Sequence, residues 1–367
     1  MAAERFSGIL EVYPKGFGFV REVADLLDGG PRDAYASEQT IQSERLRPGA
    51  FIEGDRSPGR KGLQLSNIHT VNGLTDGKWR HVRPFESLTA VDPTEHLKLE
   101  HPEASVSMRV VDLVCPVGKG QRGLIVAPPR TGKTVLLQQI AHSVALNHPE
   151  VRIVVALIDE RPEEVTDMRR SIKGEVFASS NDQPLENHLR LAQLALEYAR
   201  RWVEAGVDVA LLLDSLTRVG RAFNLGQPGS GRTMSGGIDA RALEIPRKIF
   251  GAARKTEEAG SLTILATALI ETNSRMDDFI FEEFKGTGNM ELVLNRSLAD
   301  RRIWPAINIL ASGTRKEELL LGERTEAHHA IRRYLAKFSI DDALQVLVNG
   351  IGKTESNEEL LGLLAAT

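Results

Sequence analysis

Cysteine is almost missing from this 367-residue sequence: Cys115 stands alone, which excludes an intrachain disulfide and agrees with a reducing compartment. Spaced Cys/His ligand sets are lacking too, so no structural zinc site is expected, and the adjacent His328 and His329 read as surface imidazoles in a helix-like stretch. No apolar run approaches the roughly 18 residues that a membrane helix needs. The opening MAAERFSGIL carries Glu4 and lacks the apolar centre of a secretory signal. These absences predict a cytoplasmic protein with no membrane partner. An excess of charge is also lacking: the net charge is −4, and residues 1–80 hold 11 basic and 11 acidic side chains. Any hold on a polyanion must therefore come from local geometry and stacking rather than from a broad basic field.

What is present is an ordinary globular composition, 41% hydrophobic and 26% charged, in a chain long enough for two or three domains. The first 70 residues alternate in short segments, such as 8–12 and 17–21, between Gly, Pro and Asp clusters, which suggests a small β-barrel. Residues 72–106 contain several prolines and read as a connector. From about Arg109 apolar strands alternate with amphipathic helices, the pattern of a mainly parallel α/β sheet. Strands are predicted over 123–127, 152–158, 207–213 and 262–267, and helices over 133–146, 185–205, 240–258 and 324–337. Two segments read as loops: 224–238, dense in Gly, Ser and Pro, and 284–289, FKGTGN.

APPRTGKT, residues 127–134, follows an apolar strand and opens a helix, the setting that a phosphate-binding loop requires. Backbone N–H groups at that helix start can cradle phosphate oxygens. Pro129, Arg130, Thr131, Gly132, Lys133, Thr134 and Val135 are the candidate nucleotide contacts, with Lys133 on the terminal phosphates and the Thr134 hydroxyl on Mg²⁺. The usual pattern opens with Gly, where this loop has Ala127. Asp214, closing the run VALLL, is the candidate second metal carboxylate, against the alternative that it caps the next turn. Glu160, delivered by the strand ending at Asp159, is the candidate to align the attacking water. The alternative is that Asp159 and Glu160 are surface charge or a helix cap before Pro162. Arg302 and Arg315 are candidates for a guanidinium supplied across a subunit boundary.

Four longer motifs, IDERPEEVTDM (158–168), LLDSLTR (212–218), FKGTGNMEL (284–292) and SGTRKEELL (312–320), together with the phosphate loop, resemble the Rho family of hexameric, RecA-like RNA helicases. The resemblance runs from about Gly8 to the end. It implies an α/β chain: an N-terminal OB-fold, cold-shock-like barrel at 1–71, a connector at 72–106 and a RecA-like P-loop NTPase domain at 107–367. It implies ATP and Mg²⁺ as ligands, with Arg315 as a finger on the neighbour's ATP and Arg302, Arg161 and Arg218 supporting the phosphate network. Trp304 then falls where the family stacks an aromatic ring on adenine, against the alternative of a core tryptophan before Pro305. Arg130 stands where the family usually has lysine.

The resemblance further implies single-stranded RNA, RNA polymerase and other copies of the chain as partners, in a homohexameric ring that translocates 5′ to 3′ and terminates transcription. It leaves an elongation factor open as a partner. In KGFGFVR (15–21), period-two spacing puts Phe17 and Phe19 on one face to stack on bases, with Arg21 near for phosphate and Asp33 and Tyr35 completing the primary site. The alternative is a core-facing aromatic pair. Arg232, Thr233 and Gly236 in the Q-loop-like segment, with Lys285 and Gly286 in the R-loop-like one, would line a second RNA site. Two departures stand out: the barrel begins almost at the first residue, without the family's helical subdomain, and GLQLSN (62–67) offers no further aromatic. Two rival readings remain: a rotary or export ATPase of the same fold, and an RNA-binding ring with weak or altered termination activity.

Overall fold

The structure is a computed structural model that describes residues 4–27, 29–59, 62–226, 237, 239 and 241–365. Five strands close the N-terminal barrel: β1 (Glu4–Val12), β2 (Gly18–Arg21), β3 (Ala34–Ala36), β4 (Phe51–Gly59) and β5 (Gly62–Val71), in the order β1-β2-β3-β5-β4. Alternation decides which side chains fill it. Leu10, Val20, Ala34, Ala36 and Ile52 point inward, while Phe19 and Tyr35 stay half-buried on the outer face. Gly18 permits the tight approach of β1, because a Cβ there would lie 2.5 Å from the Glu11 carbonyl oxygen. Helix α1 (Glu38–Ser43) closes one end, its first turn capped by the Ser37 hydroxyl.

The barrel rests on the second domain through Gly49, whose α-carbon packs against the backbone of Glu197 and Tyr198, and through Phe51, whose ring lies tilted against Trp202. Glu204 reinforces the seam: its buried carboxylate takes Arg47 at 2.7 Å and the Phe85 N–H at 2.7 Å.

Beyond the barrel, the connector supplies the short β6 (Ala90–Val91), and helix α2 (Val106–Val114) leads into a mixed sheet. Its main strands are β7 (Arg122–Ala127), β8 (Arg152–Glu160), β9 (Glu175–Ser180), β10 (Val209–Asp214), β12 (Ser261–Leu269) and β13 (Met290–Val293), with β11 (Arg254–Thr256) and β14 (Gly313–Thr314) pairing antiparallel. The path β14-β13-β7-β12-β10-β8-β9 is parallel throughout except for β14. The runs GLIVA, IVVALI and VALLL are apolar at successive positions because helices cover both faces. One face packs on α2, α3 (Lys133–Asn147) and the C-terminal helices, and the other on α5 (Leu185–Glu204) and α6 (Leu216–Gly226), with α4 (Pro162–Ser171) following β8. The expected fold class, a barrel followed by a mainly parallel α/β domain, is the one observed.

The four predicted strands all form, and three of the four predicted helices do. The predicted helix over 240–258 does not. It stops as α7 (Glu244–Phe250), and Arg254–Thr256 becomes β11 because the edges of β12 and β6 offer backbone partners that outweigh helical propensity. Helices take in the first residues of both expected loops: α6 runs to Gly226, and α8 (Arg275–Lys285) takes in Phe284 and Lys285. His328 is not a surface imidazole. It is buried with Nδ1 3.1 Å from the Leu113 carbonyl oxygen, and burial lowers its pKa. Among the described residues no helix is long and apolar enough to cross a membrane.

Candidate functional site

Parallel strands deliver their carboxyl ends to one edge of the sheet, and the loop between β7 and α3 lies there. Thr131 is buried and its hydroxyl donates to the Pro128 carbonyl at 2.7 Å, which tightens the loop. Arg130 and Gly132 both take positive φ, 66° and 82°, a turn that aims the following N–H groups into one concavity. Lys133 begins α3, with its ammonium 2.6 Å from Asp214 Oδ2 and 3.7 Å from Glu160 Oε2. Asp214 ends β10 and is held from the other side by the Thr267 hydroxyl at 2.8 Å. Thr134 donates to Glu164 at 3.1 Å from the first turn of α4.

Glu160 reaches this cluster through a register break. β8 pairs Ile158 with Ser179 and Glu160 with Ser180, so Asp159, at φ 59°, is the extra residue of a bulge that re-aims the strand end. Asp159 turns toward His188, 3.9 Å away. Glu160 is only 2% exposed, takes Arg218 at 2.9 Å on Oε1, and has no hydrogen-bond partner on Oε2. Burial, and then the neighbouring Asp214, push its carboxyl above the usual range, while Lys133 and Arg218 pull it the other way. An orphaned carboxylate oxygen beside a lysine and an aspartate can hold a water and accept its proton.

Trp304 is 46% exposed and lies so close to the loop that a Cβ on Gly132 would meet its ring at 2.9 Å. With Val135, Leu136, Pro305 and Ile307 it lines a cavity of about 270 Å³ that touches Thr131 and Gly132. The core alternative for this tryptophan is therefore not the one realised. The remaining arginines scatter. Arg161 is exposed, 3.9 Å from Glu164, and Arg302 is exposed at φ 61° just after α9 (Arg296–Asp300). Arg315 is not in the cluster at all. It follows β14, which pairs antiparallel with β13, so it sits at the amino end of β13 and β7, with its N–H on the Asn289 carbonyl at 2.9 Å.

On the barrel, Phe17 and Phe19 face outward as expected and meet Tyr35, with ring centroids 5.8 Å and 5.7 Å away respectively. Sequence reasoning missed a fourth ring. Tyr13 stacks on Phe17 at 5.4 Å and 12°, because a tight turn closes on Tyr13 N–H and the Phe17 carbonyl at 2.8 Å. The signal was available: Pro14 to Gly16 reads as a hairpin turn, which makes its flanking residues cross-strand neighbours. Arg21 is placed differently from the expectation. It is 6% exposed and spent on Glu11, on Asp33 at 2.7 Å and on the Tyr13 hydroxyl at 3.0 Å, so it braces the rings rather than facing solvent. Asp33 is thereby part of the brace, and Gln64 lies beside Tyr35 without adding a ring. Lys285 is exposed at the end of α8, 5.6 Å above the Phe281 ring, and Gly286 next to it is open. Arg232, Thr233 and Gly236 lie outside the described residues.

Comparison with known proteins bears on both regions. Residues 6–76 match the family described as Rho termination factor, RNA-binding domain, and residues 107–314 match the ATP synthase alpha/beta family, nucleotide-binding domain. A transcription termination factor Rho of Cereibacter sphaeroides is 51% identical over 359 residues, covering 96% of this chain and 85% of that protein. The chain belongs to the Rho family. A second Rho, from Streptomyces coelicolor, is 52% identical over 361 residues, covering 98% of this chain and 85% of its own length. A solved ATPase from the type III secretion system of pathogenic bacteria aligns with a TM-score of 0.62 at 23% identity, over 76% of this chain and 88% of that one; it shares the fold. An ATP-hydrolysing enzyme with an RNA-binding barrel, the class expected for a Rho, agrees with these matches.

Proposed function

We propose that this chain is a transcription termination factor: an RNA-dependent ATPase that works in the cytoplasm as a homohexameric ring, moves 5′ to 3′ along a nascent transcript and releases it from RNA polymerase. The observation that carries the reading is the coexistence, in one Rho-family chain, of an outward four-ring aromatic platform and a buried Lys133–Glu160–Asp214 cluster. An export ATPase has no use for the platform. On this reading residues 1–71 hold the transcript, 72–106 connect, and 107–367 hydrolyse ATP and translocate.

Within the cluster, Lys133 and the N–H groups of Arg130 to Thr134 hold the phosphates of the substrate ATP, and Trp304 stacks on its base beside Val135 and Pro129. The Thr134 hydroxyl in the first turn of α3 and the Asp214 carboxylate at the end of β10 form an all-oxygen pair, a donor set that fits Mg²⁺, which would supply charge neutralisation at the phosphates when bound. Glu160 orients the attacking water through its free oxygen, with Lys133 and Arg218 opposing the upward push of burial and Asp214 on its carboxyl. Arg302 and Arg161 support the phosphates, whereas Arg315 serves the ATP of the adjacent subunit. Lys285, Gly286, Arg232, Thr233 and Gly236 grip RNA in the ring's channel.

The test is ATP turnover with and without single-stranded RNA, followed by termination in vitro on a cytosine-rich transcript with ATP or a non-hydrolysable analogue. Turnover should rise severalfold with RNA, and release should need hydrolysis. Turnover indifferent to RNA would favour the export-type reading. Tyr13 provides a second check. Base stacking on an aromatic ring contributes about 1–3 kcal/mol per base, so Tyr13→Ala should weaken binding of a short cytidine oligomer about fivefold or more in fluorescence anisotropy. Tyr13→Phe, which keeps the ring, should stay near the parent chain.

A further inference from the structure

The loop that carries Lys285 is joined to Arg315 through Asn289. Gly286 and Gly288 flank Thr287; a Cβ on Gly286 would meet nothing within 4 Å, whereas Gly288 is buried with its N–H on the Phe284 carbonyl at 3.2 Å, so the open part of the loop lies next to Lys285. Asn289, at its end, is fixed on three sides. The buried Gln121 side chain, 1% exposed, donates to Asn289 Oδ1 at 2.7 Å and to its carbonyl at 3.2 Å. The Arg122 N–H donates to the same Oδ1 at 2.9 Å, and the Asn289 N–H returns a bond to the Arg122 carbonyl at 3.0 Å. The Asn289 carbonyl accepts the Arg315 N–H at 2.9 Å. The Arg122 guanidinium completes the link by donating to the Thr287 carbonyl. Arg315 has no support of comparable depth from its own side chain, which is exposed.

We infer that Asn289, clamped by Gln121, is a positioning residue that couples RNA held at Lys285 to the placement of Arg315 against the neighbouring subunit's nucleotide. The inference rests on the reading of Arg315 given above. A pull on Lys285 is transmitted along four residues to Asn289. There the clamp converts it into a shift of the Arg315 backbone rather than letting it dissipate in the loop. Without the Asn289 side chain, the bonds from Gln121 and the Arg122 N–H to Oδ1 are lost and the seat of its carbonyl loosens.

ATP turnover of the full chain is measured across a titration of single-stranded RNA, for the parent, Asn289→Ala, Asn289→Asp, Gln121→Met and Arg315→Ala. Asn289→Ala should keep the RNA-free rate and the RNA concentration for half-maximal effect, while the stimulation by RNA falls about fivefold or more, the usual size of a coupling between sites. Asn289→Asp retains an oxygen for the Gln121 amide and the Arg122 N–H, so it should recover most of the stimulation. Gln121→Met should resemble Asn289→Ala, with oligomeric state checked by light scattering. Equal loss of RNA-free and RNA-stimulated turnover would mark a merely structural role, and full stimulation in Asn289→Ala with an inactive Arg315→Ala would also overturn the coupling. Full turnover in Arg315→Ala would instead overturn the underlying reading of the finger.

Discussion

Arg315→Ala should lower ATP turnover by about 10³-fold, the lower range for removing an arginine finger, and leave nucleotide affinity near that of the parent chain. The separation of the two effects follows from the sheet. β14 runs antiparallel to β13, and Thr314 is paired with Met290, the first residue of β13, so Arg315 emerges at the amino end of the parallel strands. The phosphate loop emerges at the carboxyl end of β7, where Ala127 lies five residues beyond Arg122, the residue level with Asn289. At about 3.3 Å per residue the two ends are about 16 Å apart, beyond the reach of an arginine side chain. An arginine that cannot touch its own chain's phosphates cannot contribute to binding in that chain, but it can act on an adjacent one. Phosphate release gives the turnover, and a fluorescent ATP analogue gives the affinity. A parallel loss of both would show that Arg315 acts within its own subunit or through the fold, and the trans assignment would fall.

The division between what was legible in the sequence and what was not follows the range of the interactions. Continuous apolar runs such as VALLL and IVVALI announced buried parallel strands, and the strand, turn and helix around Lys133 were legible too, because both signals are local. The helix expected over 240–258 failed for the opposite reason: Lys255 pairs with Ser261 on one side and Val91 on the other, and neither edge is visible from a window around Lys255. Arg21, expected near for phosphate, is held instead by Glu11 and Asp33, partners 10 and 12 residues away along the chain that no local window shows. His328 reads as a surface imidazole in a helix-like stretch, yet the helix Thr325–Leu335 turns it onto the Leu113 carbonyl, 215 residues earlier. Glu160 does lie beside Lys133, but the bulge that brings it there was not legible, since the register break at Asp159 exists only against β9.

Glu160→Gln should separate stability from catalysis. If the buried carboxylate orients and deprotonates the attacking water, losing its charge should cost about 10²–10⁴-fold in turnover while RNA binding stays intact. The same substitution should raise the melting temperature at neutral pH. Burial and Asp214 hold the carboxyl above its ordinary value of 4.5, so the folded chain binds that proton more tightly than the unfolded chain does. Ionised Glu160 therefore costs stability above the raised pKa. That cost fades as pH falls through it, and it is gone below the ordinary range, where both states are protonated. The gap in melting temperature between Glu160→Gln and the parent should accordingly be widest near pH 7 and close toward acid. Turnover of the parent chain should move the opposite way, falling as pH drops through the raised pKa, because only the ionised carboxylate can accept a proton. A variant that melts lower than the parent at pH 7 would mean that Lys133 and Arg218 outweigh burial at this position. A variant that hydrolyses ATP at the parent rate would remove Glu160 from the chemistry.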